Sequence, residues 1–170
     1  MSVPAQASIA VGVVVERRKA QSRWIDFTWR PVAVLAGQPD TAPWTVLSRD
    51  SDSATFYAGP AEIALYRTET GNYRDNIASG AAKLWVALRP TGGEPPYALF
   101  AVTADPAEGE AWTEAGSDLV DTVAMPAPVQ AEIARFIAEH HVERPFYKRQ
   151  RDEADAQPAG RRGRAGKEPQ

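Results

Sequence analysis

Apolar and polar residues alternate along most of the chain as far as Met125, and this alternation predicts β-strands. A valine-rich run at 9–16 (IAVGVVVE) is bounded by charged residues and predicts a first strand with a central position. The next strand is predicted to run from Trp24 to Leu35, where Pro31 marks a bend, a bulge or an edge position. Six shorter strands are predicted at 44–47, 54–58, 61–68, 83–89, 97–103 and 118–125.

Turn-forming residues separate these strands. Gly59-Pro60 predicts a tight turn between the strands at 54–58 and 61–68. The polar stretch 70–76 (TGNYRDN) predicts a loop, and the acidic stretch 105–116 has room for a short helical turn. Strands and helices do not alternate along the chain, which favours antiparallel strands over a parallel α/β sheet.

The hydrophobic period changes after Pro126. The residues that then fall on one face of a helix are Val129, Ile133, Phe136, Ile137 and His140. Because a proline suits the first helical turn, this pattern predicts an amphipathic helix at 127–141. We therefore expect a mostly β fold with one α element, a small antiparallel barrel or sandwich of seven to eight strands that the C-terminal helix closes.

The two ends of the chain differ in composition from the part between them. Residues 1–7 are predicted to be disordered, and 8–152 to form a single β domain that includes the helix. The tail at 153–170 has no large apolar residue, so burial cannot offset the entropy lost on ordering, and disorder is predicted.

Composition narrows the classes of function. The 170 residues include no cysteine, which excludes disulfides, thiolate nucleophiles and cysteine-ligated metal clusters. There is no signal-peptide pattern and no apolar run near the roughly 18 residues of a membrane span, so we expect a cytoplasmic protein without membrane contact. The net charge of −3 makes nucleic acid an unfavourable partner by default.

The sequence shows no constellation typical of catalysis. The only histidines, His140 and His141, are neighbours that point about 100° apart on a helix, and they suit its C-terminus better than a metal ion. Acidic residues are scattered over the predicted strands and turns: Asp26, Asp50, Glu62 and Asp75. We therefore predict no catalytic residue, no metal and no cofactor.

Candidate contact residues for a partner lie in three places. The first is the segment that follows the helix, where Phe146 and Tyr147 could anchor the chain and basic side chains would face outward: Arg144, Lys148, Arg149 and Arg151. The second is Trp24, which the strand alternation places on the less apolar face. The third is the predicted loop Tyr73-Arg74-Asp75.

Three stretches carry a family resemblance: RWIDFTWRPVAVL at 23–35, LYRTETGNYRDNIASGAAKLWVALR at 65–89 and FIAEHHVERPFYKRQRD at 136–152. Over about residues 8–152 the chain resembles an uncharacterised proteobacterial family, the domain of unknown function 3305. The resemblance implies genes that lie near those of a molybdenum-dependent formate dehydrogenase and its maturation factors. It implies no catalytic residue.

The leading hypothesis is a non-catalytic accessory or maturation protein that binds this formate dehydrogenase or one of its maturation factors. Two alternatives remain open. One is a small β-barrel enzyme that acts through carboxylates in a deep pocket. The other is a nucleic-acid-binding module that uses the basic C-terminal segment. The partner's identity, the oligomeric state and the presence of a ligand in the fold are not determined by the sequence.

Overall fold

The computed structural model describes residues 4–141. Its strands are β1 (Ala7–Lys19), β2 (Phe27–Ala36), β3 (Thr45–Arg49), β4 (Ser53–Leu65), β5 (Lys83–Pro90), β6 (Tyr97–Thr103) and β7 (Leu119–Ala124). Its helices are α1 (Thr70–Ala78), preceded by a 3-10 turn at Arg67–Glu69, α2 (Pro106–Ala115) and α3 (Ala127–His140). The predicted predominance of β structure is confirmed, but the described residues hold three helices where one was expected.

The strands form two antiparallel sheets. The first has the order β2-β1-β4-β3, and the second has the order β6-β5-β7. Strand β4 lies near β6 and β2 lies near β7, yet no strand of the first sheet pairs with one of the second in the part of the chain described. A closed barrel is therefore wrong for residues 4–141, and the two sheets remain separate around a shared core.

The core lies between the central strands of the two sheets. Alternate residues of β1 point into it, and Val11, Val13 and Val15 are fully buried. Leu84 and Val86 of β5 are equally buried in the same cluster. Burying one such side chain contributes about 1.5–3 kcal/mol, so these two strands supply much of the hydrophobic stabilisation.

Strand β4 corrects the turn predicted at Gly59-Pro60. The backbone continues as one strand through this point, and Gly59 has a φ of 138°. The register with β1 shifts here, so that Ala58 is the extra residue of a β-bulge. Strand β3 pairs with β4 only as far as Tyr57. Pro60, which has no N–H, lies beyond this paired region, so no hydrogen bond to β3 is lost.

Strand β2 fits the expectation for Pro31. It lies at the edge of its sheet, and a register shift against β1 leaves Val32 as the extra residue directly after Pro31. The strand starts at Phe27, three positions after the predicted start at Trp24. The residues in between belong to the connection from β1, in which the backbone N–H of Ala20 donates to the carbonyl of Asp26.

Helix α1 lies where a loop was predicted, and that prediction is wrong. The buried side chains of α1 all carry hydrogen-bonding groups, so the sequence has no apolar stripe that would predict this helix. The Asn76 amide donates to the carbonyls of Lys83 and Ala104 at 2.8 and 2.9 Å, and its oxygen accepts from the Lys83 N–H at 3.0 Å. This amide joins α1 to the second sheet, since a buried amide with all these bonds is satisfied.

Helix α2 extends the predicted helical turn to ten residues. Asp105 is its N-cap and accepts a hydrogen bond from the Ala107 N–H at 2.9 Å, and Pro106 occupies the first turn. Gly116, with a φ of 72°, ends the helix in the left-handed conformation. The helix packs on the second sheet through Gly109, whose Cα approaches the ring of Trp85 closely.

Helix α3 spans Ala127–His140, against the predicted 127–141. Its apolar face is buried, and Phe136 meets Tyr73 of α1 edge-on at 6.3 Å between ring centroids. Residues 142–170 lie outside the described part of the chain, and so do the predicted tail and the segment after the helix. No described helix has the length and apolarity needed to cross a membrane.

Candidate functional site

The first sheet carries an arginine on the face that elsewhere forms the core. The alternation that buries Val13 and Val15 continues in β1 to Arg17 and Lys19, so these two side chains share the inward face. Strands β1 and β4 have 13 residues each, whereas those of the second sheet have six to eight. The second sheet is therefore too short to cover this end, and β1 becomes accessible from Arg17 onward.

Aromatic rings cover the same end of the sheet. Trp29 stacks on Phe56 with 5.7 Å between ring centroids, and it meets Trp44 edge-on at 6.0 Å. Tyr97, at the start of β6, lies 6.2 Å from Trp29 and closes the cluster towards the second sheet. Phe27 continues the row outward and is 36% exposed. We call this surface the arginine–aromatic face and define it by Arg17, Phe27, Trp29, Trp44 and Phe56.

The guanidinium of Arg17 lies on these rings. Its central carbon is 4.4 Å from the centroid of Phe27, 5.3 Å from that of Phe56 and 5.8 Å from that of Trp29. Cation–π contacts of this kind contribute about 0.5–2 kcal/mol, depending on how far the cation is desolvated. Among residues 4–141 no carboxylate oxygen lies within 4.0 Å of the Arg17 nitrogens.

A cleft of about 220 Å³ opens beside Arg17, with Lys19 and Arg49 also on its walls. Asp50 lines the cleft too, but its carboxylate is used within its own turn. One oxygen accepts from the N–H groups of Asp52 and Ser53, at 2.9 and 2.8 Å, and the other accepts from the Ser53 hydroxyl. These hydrogen bonds lower the pKa of Asp50, the backbone donors contributing most.

Trp24 lies in the turn between β1 and β2, next to this cleft along the chain. It is 92% exposed, and the neighbouring Ile25 is 55% exposed. Trp24 precedes β2, so its exposure comes from this connection and not from a position on the predicted strand. The nearest cation in sequence, Arg23, is exposed as well.

The other predicted contact residues have mixed outcomes. Tyr73-Arg74-Asp75 is part of α1, and Tyr73 is only 1% exposed, so its side chain does not reach the surface. Its hydroxyl accepts a hydrogen bond from the Tyr66 N–H, which explains the burial of a polar tip. Arg74 and Asp75 are exposed. The basic residues after the helix, at 144–151, lie outside the described residues.

Sequence reasoning missed one group of carboxylates. Glu69, Asp105 and Glu108 line a cavity of about 300 Å³ together with Tyr73. Asn72 bridges two of them, since its amide nitrogen donates to Glu69 and to Asp105 at 3.1 Å each. The acids noted in the sequence (Asp26, Asp50, Glu62 and Asp75) are all exposed and lie elsewhere.

The histidine pair divides between two environments. His140 lies against Phe136 with 4.5 Å between ring centroids and the two ring planes tilted by 40°. His141 Nδ1 lies 2.8 Å from the Thr70 hydroxyl, which donates its own proton to the Arg67 carbonyl. Nδ1 must therefore be the donor of that pair. Within residues 4–141, no three histidine or acidic side chains are grouped closely enough to hold a metal ion.

Comparison with known proteins yields one match. The family model described as "Protein of unknown function (DUF3305)" matches residues 10–150. This range contains the whole arginine–aromatic face and both histidines. No curated protein and no solved structure matches the chain.

Proposed function

We propose that this chain, which belongs to the DUF3305 family of proteins of unknown function, is a non-catalytic accessory protein that acts by binding another protein. The proposed partner is a molybdenum-dependent formate dehydrogenase or one of its maturation factors. This partner is the one that the family resemblance of the three sequence stretches implies.

The observation that carries the proposal is the arginine–aromatic face. Side chains of tryptophan, tyrosine and arginine supply most of the binding energy in protein interfaces, because they combine large apolar area with directed hydrogen bonds. Here Arg17, Phe27 and Trp29 lie together at the uncovered end of a sheet, and Trp24 is exposed in the connection between β1 and β2. The exposed apolar area at this end of the sheet is removed from water only when another molecule binds over it.

Carboxylate catalysis is the second candidate, favoured by the cavity of Glu69, Asp105 and Glu108. Two contacts support a structural role for the most buried of these acids. Asp105 caps α2 through Ala107 and accepts from Asn72 of α1, so its carboxylate joins two helices. The protein-binding proposal is therefore the stronger of the two.

The segment at 144–151 is proposed as a second contact region. It carries Phe146 and Tyr147 between basic residues, and the family match continues through it to residue 150. Substituting both aromatic residues by alanine tests this part alone, since α3 ends before them. A loss of partner recovery is expected, and unchanged recovery would confine binding to other surfaces.

The experiment that tests the proposal is a purification of the tagged protein from cells that express the dehydrogenase, combined with deletion of its gene. We expect subunits or maturation factors of the dehydrogenase to co-purify, and formate oxidation to fall in the deletion strain. Recovery of no component of that system, together with unchanged formate oxidation, would overturn the proposal.

A further inference from the structure

In the second sheet, the guanidinium of Arg89 has both an aromatic ring and a carboxylate as partners. Arg89 lies over the ring of Phe100, with its central carbon 3.5 Å from the centroid. Two of its nitrogens donate to the two carboxylate oxygens of Asp118, at 3.1 and 3.2 Å. The ring takes one face of the guanidinium and the carboxylate takes its edge, which is the geometry that suits both groups.

Arg17 has the ring but lacks the carboxylate. Its guanidinium lies on Phe27 and Phe56, and the described residues place no acidic side chain at its edge. A guanidinium has five N–H donors, and stacking on a ring uses none of them. The nearest acid in sequence, Glu16, points to the opposite face of the sheet, where it pairs with Arg18 and Arg30.

The cleft beside Arg17 carries a positive balance. Three cations line it, Arg17, Lys19 and Arg49, against the two carboxylates of Asp50 and Asp52. The Asp50 carboxylate accepts three hydrogen bonds inside its own turn, so it is held away from competing for Arg17. An anion that enters this cleft therefore meets unused donors and a net attraction.

We infer that the cleft receives a carboxylate side chain from an extended acidic segment of a partner polypeptide, with Arg17 as its bidentate anchor. An apolar residue of the same segment packs on Trp24 and Ile25, the exposed apolar residues of the connection that leads into Phe27. This inference rests on the proposed protein-binding function and names the chemistry of the partner.

A polypeptide fits this surface better than a nucleic acid. Bases bind by stacking on accessible ring faces. Here Trp29 is stacked on Phe56, and Arg17 lies over Phe27, so these faces are already in use. Among the rings of this end of the sheet, Trp24 alone is almost fully exposed.

The test is a titration of the purified full-length chain with a fluorescein-labelled peptide of Glu, Asp and Leu, followed by fluorescence anisotropy. Arg17→Gln should weaken binding by at least about tenfold, because it removes a bidentate charge-assisted pair. Arg17→Lys should restore only part of the affinity, since an ammonium group lacks the planar fork. Arg30→Gln is the matched control, because it removes the same charge from the same hairpin on the opposite face.

Every outcome of this titration is informative. Equal losses for Arg17→Gln and Arg30→Gln, or binding of an oligothymidylate but not of the acidic peptide, would overturn the inference. If Arg17→Gln fails to fold by circular dichroism, the exposed Lys19→Gln takes its place, with a loss of about threefold expected for a single unpaired surface charge. Partner recovery from cells that is unaffected by Arg17→Gln would overturn this inference and leave the proposed function standing.

Discussion

The hydroxyl of Tyr73 accepts a hydrogen bond of 3.0 Å from the backbone N–H of Tyr66. Burial of the ring raises the pKa of Tyr73 to about 12. The Tyr66 N–H opposes this shift, whereas the carboxylates of Asp105, Glu69 and Glu108 act in the same direction as burial. An unfolded tyrosine releases its proton near pH 10, so between about pH 10 and 12 only the unfolded chain loses it. The stabilisation is thus complete below pH 10 and is lost as the pH rises towards 12.

Tyr73→Phe tests this relationship. The variant lacks the acceptor for the Tyr66 N–H, so we expect its free energy of unfolding to be about 1 kcal/mol lower at neutral pH. It also lacks the titrating group, so its stability should fall less steeply above about pH 10 than that of the native chain. Urea unfolding at about pH 8 and about pH 11 measures both effects, and parallel pH profiles for the two proteins would contradict the assignment.

The buried hydroxyl of Tyr57 differs from that of Tyr73, and its removal should not lower the free energy of unfolding. It is 1% exposed, its hydroxyl has no hydrogen-bond partner among the described residues, and burial raises its pKa. Removing a buried hydroxyl without a partner relieves a desolvation penalty of about 1 kcal/mol. Tyr57→Phe should therefore leave the free energy of unfolding unchanged or raise it. A clear loss of stability would show that a bound water or another group satisfies this hydroxyl.

Two helical glycines form a matched pair. A Cβ at Gly109 would lie 2.1 Å from Trp85 Cγ, whereas a Cβ at Gly71 would meet nothing within 4 Å. Gly109→Ala must displace α2 or the indole, and we expect a loss of about 2–4 kcal/mol. Gly71→Ala should stabilise the protein by about 0.5–1 kcal/mol, because alanine favours the helix. Thermal unfolding of the two variants would contradict this packing if they behaved alike.

Two substitutions at Asp105 distinguish a structural role of its carboxylate from a catalytic one. Asp105→Ala removes the cap of α2 and the contact with Asn72, so a loss of about 1–2 kcal/mol is expected. Asp105→Asn keeps an acceptor for the Ala107 N–H and should retain most of the stability. In the deletion strain, Asp105→Asn should restore formate oxidation as well as the native gene does. Loss of this complementation by a stable Asp105→Asn protein would favour the carboxylate enzyme instead.

The strands and α3 could be predicted from the sequence because burial there follows a simple period. Val11, Val13 and Val15 alternate into the core, and α3 buries Val129 and Ile133 on one face. Helix α1 could not be predicted in the same way, since Asn76 stabilises it through bonds to residues that are distant in sequence. Gly59-Pro60 predicts a tight turn between two strands, but a glycine with a positive φ is equally suited to a β-bulge within one strand.

The candidate site was only partly accessible from the sequence. Alternation places Trp24 on the less apolar face of a strand, but the residue precedes β2, so its exposure depends on the connection between β1 and β2. The stacking of Arg17 on Phe27 depends on the pairing of β1 with β2. It also depends on the second sheet, which ends before it reaches Arg17. The carboxylates of Glu69 and Asp105 meet only because Asn72 joins the two elements that carry them.

The central claim is that this protein binds its partner through the arginine–aromatic face. The most direct test is the amount of formate dehydrogenase or maturation factor that co-purifies with tagged Phe27→Ala, with Phe100→Ala as the control on the other sheet. Phe27 is 36% exposed and Phe100 is 48% exposed, and each ring carries one arginine, so neither substitution removes a core side chain. We predict that recovery falls at least about tenfold for Phe27→Ala and is unchanged for Phe100→Ala. Equal recovery with both variants would contradict the claim.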